Sequence, residues 1–189
     1  MYNYLRVEKD EDRIMVKRIG SINALVSWDN WVVIANPSEV MAHEDKTIVE
    51  IHGNLKVTEA SFTKVMSDSK VTLEYYVTGE DVVIEMKPLL LYDGASCNVR
   101  WKVKSRNLRL IETVVLGRTH HGEVFRKGSL KSVTEVMDQD GMLKVYDTME
   151  IVDQAWMDPN FAGGNVIKTI IDMKNGEPEV IRSVERWYS

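Results

Sequence analysis

Asn98-Val99-Arg100-Trp101-Lys102-Val103-Lys104 decides the fold, because it alternates without a break. Successive residues of an extended chain point to opposite faces. Val99, Trp101 and Val103 therefore share one side, and Asn98, Arg100, Lys102 and Lys104 the other. One buried face and one wet face at period two describe a strand. Upstream, Val49 and Ile51 oppose Ile48, Glu50 and His52, and Gly53-Asn54 then turns the chain. Leu55, Val57, Val65, Val71, Leu73, Tyr75 and Val77 continue in short runs of the same period, with Gly79 as the next turn. Residues 82–91 are apolar on both sides apart from Glu85 and Lys87, which predicts a strand covered on two faces with Pro88 at an edge or bulge.

Downstream, residues 108–116, 129–137, 143–152 and 166–173 read as further strands, separated in part by Asp140-Gly141 and Gly163-Gly164, with a last strand over 180–187. Toward the N-terminus, residues 8–12 form a turn between two short strands. Residues 13–26 read as a strand pair broken at Gly20, a helix over 19–25 being the alternative, and residues 28–35 as a strand ended by Asn36-Pro37-Ser38. Strands recurring every eight to twelve residues, with no long amphipathic helix, predict an all-β chain. Periodicity alone leaves sandwich, barrel and stacked arrangement open.

The chain of 189 residues is expected to form one domain, residues 1–189. Its single cysteine, Cys97, excludes an internal disulfide framework and any paired-cysteine metal knuckle, so a reducing, cytoplasmic setting is expected. No apolar run approaches the ~20 residues of a membrane helix. A formal charge of −5 disfavours nucleic acid and anionic membrane as principal partners.

Chemistry concentrates in residues 112–128, E-T-V-V-L-G-R-T-H-H-G-E-V-F-R-K-G. Gly117 and Gly122 imply tight turns or a close backbone approach, and between them lie Arg118, His120 and His121, followed by Glu123. Adjacent histidines point apart in a strand and can share a metal only in a turn, where Glu123 adds an oxygen. The plainer reading is a solvated loop. Glu112 interrupts an apolar run, so it lies either on a wet face or buried with a partner such as Arg118. Arg118 is read first as a structural residue paired with Glu112 or Glu123, and second as a cation-repelling wall. His43-Glu44-Asp45 gathers three potential ligands in what composition makes a surface loop, and Asp93 before Gly94 suits a turn. Cys97 reads as a small core residue. No nucleophile elbow, phosphate-binding glycine loop or H-E-x-x-H motif is present, so an enzyme is not expected.

L-G-R-x-x-x-G-E-x-F, formed by Leu116, Gly117, Arg118, Gly122, Glu123 and Phe125, closely resembles the signature of the urease accessory protein family UreD, also called UreH. V-T-E-A-S-F-T-K-V (57–65) is similar to that family's T-T-Q-A-A-T-K-V segment, and L-L-L-Y-D-G-A (89–95) to its I-L-F-D-G-A turn. Glu112, Asp140-Gly141, Asp147 and Gly163-Gly164 stand in matching order, so the resemblance covers about residues 14–173. The family's P-x-G-G-x-x-G-G-D loop is here P-S-E-V-M-A-H-E-D (37–45), and its C-terminal helical segment is expected to be missing.

The resemblance implies stacked short strands in a helical, solenoid-like arrangement with few or no helices. It implies a non-enzymatic scaffold that binds urease subunits and the UreF-type and UreG-type accessory proteins, and that passes nickel toward the urease metallocentre without holding it tightly. Glu123, Asp45 and Glu112, with His120 and His121 as features of this chain, are the expected transient nickel positions. Arg118, Gly117, Gly122 and Asp93 are expected to be structural or interface residues. The alternative is a UreD-like β-rich module serving another partner or metalloenzyme. A metal-dependent hydrolase built on the His/Glu cluster is third, for want of a ligand set.

Overall fold

A computed structural model describes residues 1–11, 13–37, 39–118 and 122–186. Its strands divide between two sheets, each mixing parallel and antiparallel pairs. The first contains β1 (Tyr2–Asp10), β2 (Arg13–Ile19), β6 (Lys46–His52), β9 (Lys70–Thr78), β12 (Ser96–Lys104), β14 (Ser129–Met137) and β15 (Leu143–Val152). Their spatial order is β15-β14-β12-β9-β6-β1-β2. The five strands from β1 to β14 pair in parallel, and antiparallel β2 and β15 close the two edges.

The second sheet contains β3 (Asn23–Val26), β4 (Trp31–Ala35), β5 (Val40–Met41), β7 (Lys56–Glu59), β8 (Thr63–Val65), β10 (Asp81–Glu85), β11 (Leu89–Leu91), β13 (Asn107–Leu116), β16 (Val166–Lys174) and β17 (Glu177–Glu185). β4, β7, β10 and the first half of β13 run in parallel, as do β5, β8, β11 and its second half. β13 is thus the longest common rung. On its other side it meets β16, which carries β17 as the outermost strand.

From β6 to β14 the chain alternates between the sheets, and the inward residues of both make one core. Val99, Trp101 and Val103 lie within it, as the alternation of 98–104 predicts, against Val57, Ile84, Leu110 and Leu116 from the other sheet. Burying such side chains stabilises by roughly 1.5–3 kcal/mol each. Successive turns are also tied to one another. Asn54 Oδ1 accepts the N–H groups of Glu80 and Asp81 at 2.8 and 3.1 Å, and Asn107 Nδ2 donates to Asp81 Oδ1 at 2.6 Å.

The all-β expectation holds, and among the described residues the helical segments are the 3-10 turns Trp28–Asn30 and Asp153–Met157. Three local expectations are corrected. Residues 82–91 form two strands, β10 and β11, with Pro88 in the gap between them, where its missing N–H leaves no ladder bond open. The strand expected from residue 28 starts at Trp31, because Asp29 and Asn30 take positive φ of 70° and 62°. The final strand begins at Glu177 and is exposed along its whole length.

Candidate functional site

Two carboxylates, Glu112 and Glu59, take inward positions between the sheets, among apolar side chains and the buried hydroxyls of Thr63 and Ser132. Glu112 follows Leu108 and Leu110 and precedes Val114 on the inner face of β13, so its side chain crosses toward the first sheet. Trp101 on β12 donates its indole N–H to Glu112 Oε1 at 3.3 Å, and the Ser132 hydroxyl on β14 lies 3.4 and 3.2 Å from the two oxygens. Burial pushes the Glu112 carboxyl up, and the two donors pull against that shift.

Glu59 closes β7 one inward step after Val57. It accepts the Thr63 hydroxyl at 3.0 Å and a backbone N–H from Lys87, yet burial dominates and its pKa is raised to about 7. Tyr75 lies between these acids electrostatically. It is buried, and its phenol is pushed well above 10, first by burial and then by the charges of Glu59 and Glu112. Its ring stacks on Trp101, with centroids 3.9 Å apart and planes 9° from parallel.

Two small cavities meet at this group and share Glu59, Thr63, Leu73 and Tyr75. One reaches toward Asn36 and Thr47, the other toward Trp101 and Glu112. Each offers about 20 Å³ for the centre of a water-sized sphere, enough for one water by the usual requirement of roughly 10–15 Å³. Beyond Glu112, Asp147 is ion-paired with Arg182, so a discontinuous line of polar groups crosses the molecule. Cys97 is buried beside this line. Burial and the charge of Glu112 push its thiol up to about 12, which makes it a poor thiolate ligand or nucleophile.

The expected site residues are dispersed. Arg118 and Glu123 form the forked pair that sequence reasoning put first, Nε to Oε2 at 2.8 Å and an η nitrogen to Oε1 at 2.9 Å, with the guanidinium 5.0 Å above the Tyr92 ring. Both side chains are about two-fifths exposed, so Glu123 stands at the surface and not with Glu112. Asp45 accepts the Ala42 N–H at 2.9 Å and the N-terminal ammonium. Asp93 receives the N–H groups of Arg126 and Lys127 at 2.6 and 2.9 Å, and those bonds hold its carboxyl below the usual range. Its partners lie 33 and 34 residues further on, so it ties two distant segments together where its place before Gly94 suggests a local turn bond.

Gly117 has φ +74°, and a Cβ there would lie 2.5 Å from the Glu123 carbonyl oxygen. Gly122 has the same φ in open space. His120 and His121 lie outside the described residues. Among the described residues no group of three or more His, Cys, Asp or Glu side chains could hold a metal ion. Glu59 was not among the residues singled out from sequence. Period two counted from Val57 puts it indoors, and that signal was available. No known family model matches this sequence, and no curated protein matches it.

Proposed function

We propose that this chain is a non-enzymatic scaffold of the UreD type, which hands nickel, its cargo, toward a nascent urease centre in company with UreF-type and UreG-type proteins. The observation that carries the reading is the pair of inward carboxylates, Glu59 and Glu112, on water-sized cavities that share Tyr75's surroundings. A carrier must release what it binds. One or two oxygen ligands spaced along a narrow polar route hold a divalent ion far less firmly than a closed four-ligand site. Glu59, at about 7, exchanges a proton for a cation near neutral pH, so uptake and release follow the local proton balance. Cys97, protonated and buried, sets no soft trap on the way.

Further support comes from the L-G-R and G-E residues. Arg118 and Glu123 hold their forked pair at the surface, where a partner protein could reach it. The return of the chain from one mixed sheet to the other between β6 and β14 is the feature that favours a solenoid-like winding in this reading.

The test is co-expression with a urease and the remaining accessory proteins, read as urease nickel content and activity. The wild-type chain is expected to raise both. The double variant Glu59→Gln, Glu112→Gln is expected to fold and to leave nickel content low. If the double variant loads urease as well as wild type, the interior route is wrong. If the folded wild-type chain has no effect, the scaffold assignment itself falls.

A further inference from the structure

Two edge strands, β2 and β17, carry matching apolar stretches and opposite charge. Among the described residues β2 lies at one edge of the first sheet, paired with β1 alone, and β17 at one edge of the second, paired with β16 alone. Both are largely uncovered: six of the seven residues of β2, all but Ile14, and all nine of β17 are exposed. β2 reads R-I-M-V-K-R-I, with three cations, Arg13, Lys17 and Arg18, and no acid. β17 reads E-P-E-V-I-R-S-V-E, with Glu177, Glu179 and Glu185, while its one cation, Arg182, is bound to Asp147. Among the described residues these three cations and three anions have no ion-pair partner.

Between the charges stand exposed aliphatics on both strands: Met15, Val16 and Ile19 on one, Val180, Ile181 and Val184 on the other. Such residues along an open ladder edge favour pairing with another strand, and like charges at that edge oppose it. Two β2 edges repel each other, as do two β17 edges. A β2 edge against a β17 edge attracts, and an antiparallel register that sets Lys17 opposite Glu179 also sets Met15 opposite Ile181 and Val16 opposite Val180. Pro178 removes one donor at the start of β17 and leaves the stretch after it able to pair.

We propose that a second copy of this chain docks here, the β2 edge of one on the β17 edge of the next. The contact is heterologous, so a bound pair still offers one free edge of each kind and association continues into rings or filaments. Exposed ion pairs are individually weak and screened by salt, so the charges choose the partner edge while the aliphatic residues supply adhesion.

Sedimentation velocity of the full-length chain tests this over a concentration series in about 0.01 M and about 1 M salt, where the Debye lengths are roughly 30 Å and 3 Å. Species larger than a monomer are expected to grow with concentration in low salt and to recede in high salt. A variant with Lys17→Glu and Arg18→Glu, and another with Glu177→Lys and Glu179→Lys, are each expected to stay monomeric. Mixing the two restores assembly, because every junction then joins unlike charges. All these side chains are exposed, and thermal melts confirm that the variants fold. A wild-type chain that stays monomeric at every concentration in low salt overturns the proposal. So does a reversal at either edge that leaves assembly intact, or a mixture that stays apart.

Discussion

Trp101 on one sheet donates its indole N–H to Glu112 Oε1 on the other at 3.3 Å, while its ring stays stacked on Tyr75. A partly buried carboxylate with few donors depends on each of them, and losing one costs up to roughly 1–3 kcal/mol. Trp101→Phe keeps an aromatic ring in the stack and removes the donor, at the further cost of a small cavity. A double-mutant cycle with Glu112→Leu, which removes the acceptor, separates the two, because the cavity cost is common to both backgrounds. We expect a coupling of about 0.5–3 kcal/mol in urea unfolding at pH 8. Strict additivity would mean that the bond contributes nothing.

Glu59 gives the protein a pH dependence of definite sign. Its pKa stands at about 7 in the fold against 4.5 for an ordinary glutamate, so between those values the native state holds more protons than the unfolded one. Stability therefore falls as pH rises through that window and is level on either side of it, as far as this group decides. The drop is at most about 3 kcal/mol at 1.36 kcal/mol per unit, and smaller to the extent that the side chain touches water. Glu59→Gln keeps an acceptor for Thr63 and removes the titration. Its melting temperature should exceed wild type at pH 8 and converge with it near pH 4. Parallel melting curves across that range would refute the assignment.

The Arg118–Glu123 fork predicts an asymmetry between its two members. Arg118 also lies over the Tyr92 ring, so its loss removes that contact together with the fork. Arg118→Ala should lower the melting temperature more than Glu123→Ala does, and the double variant should fall by less than the sum of the two single losses. Arg118→Lys should rescue poorly, since an ammonium lacks the planar fork. Raising salt should shrink all these differences. Equal losses from the two single variants would show that the Tyr92 contact contributes nothing.

The strands were legible because alternation is a local property. Ser129–Met137 and Leu143–Val152 coincide with their sequence reading to the residue, and 98–104 shows its predicted buried face. Pairing was not legible. That β12 lies between β9 and β14 in parallel follows from the chain crossing to the other sheet between each pair, and nothing in 98–104 encodes it. The site divides in the same way. The Arg118–Glu123 fork joins residues five apart and was one of the two pairings that spacing left open, whereas Asp93 reaches N–H groups 33 and 34 residues away that spacing does not reveal. Glu112 left its partner open between Arg118 and none, because Trp101 and Ser132 reach it from another layer. Glu59 was passed over because Glu-Ala-Ser after Val57-Thr58 reads as the polar end of a strand.

The glycines offer a last test, one that separates backbone strain from crowding. Gly128 has φ +122°, and a Cβ there would stand 2.0 Å from the Ala95 carbonyl oxygen and 3.0 Å from the Phe125 ring. Neither neighbour can retreat cheaply, since Ala95 O accepts the Ser129 N–H at 3.0 Å and Phe125 is fully buried. Gly141 has φ +85° in the hairpin between β14 and β15, with nothing within 4 Å of its virtual Cβ. Alanine at Gly141 meets only the left-handed backbone cost of roughly 1–2 kcal/mol. Alanine at Gly128 adds a backbone collision and should cost upward of about 4 kcal/mol, enough to unfold a domain of ordinary stability. Chemical denaturation of Gly141→Ala beside soluble yield and circular dichroism of Gly128→Ala measures the contrast. Comparable stability of the two variants would mean that the approach of Ala95 to Gly128 is looser than the geometry here requires.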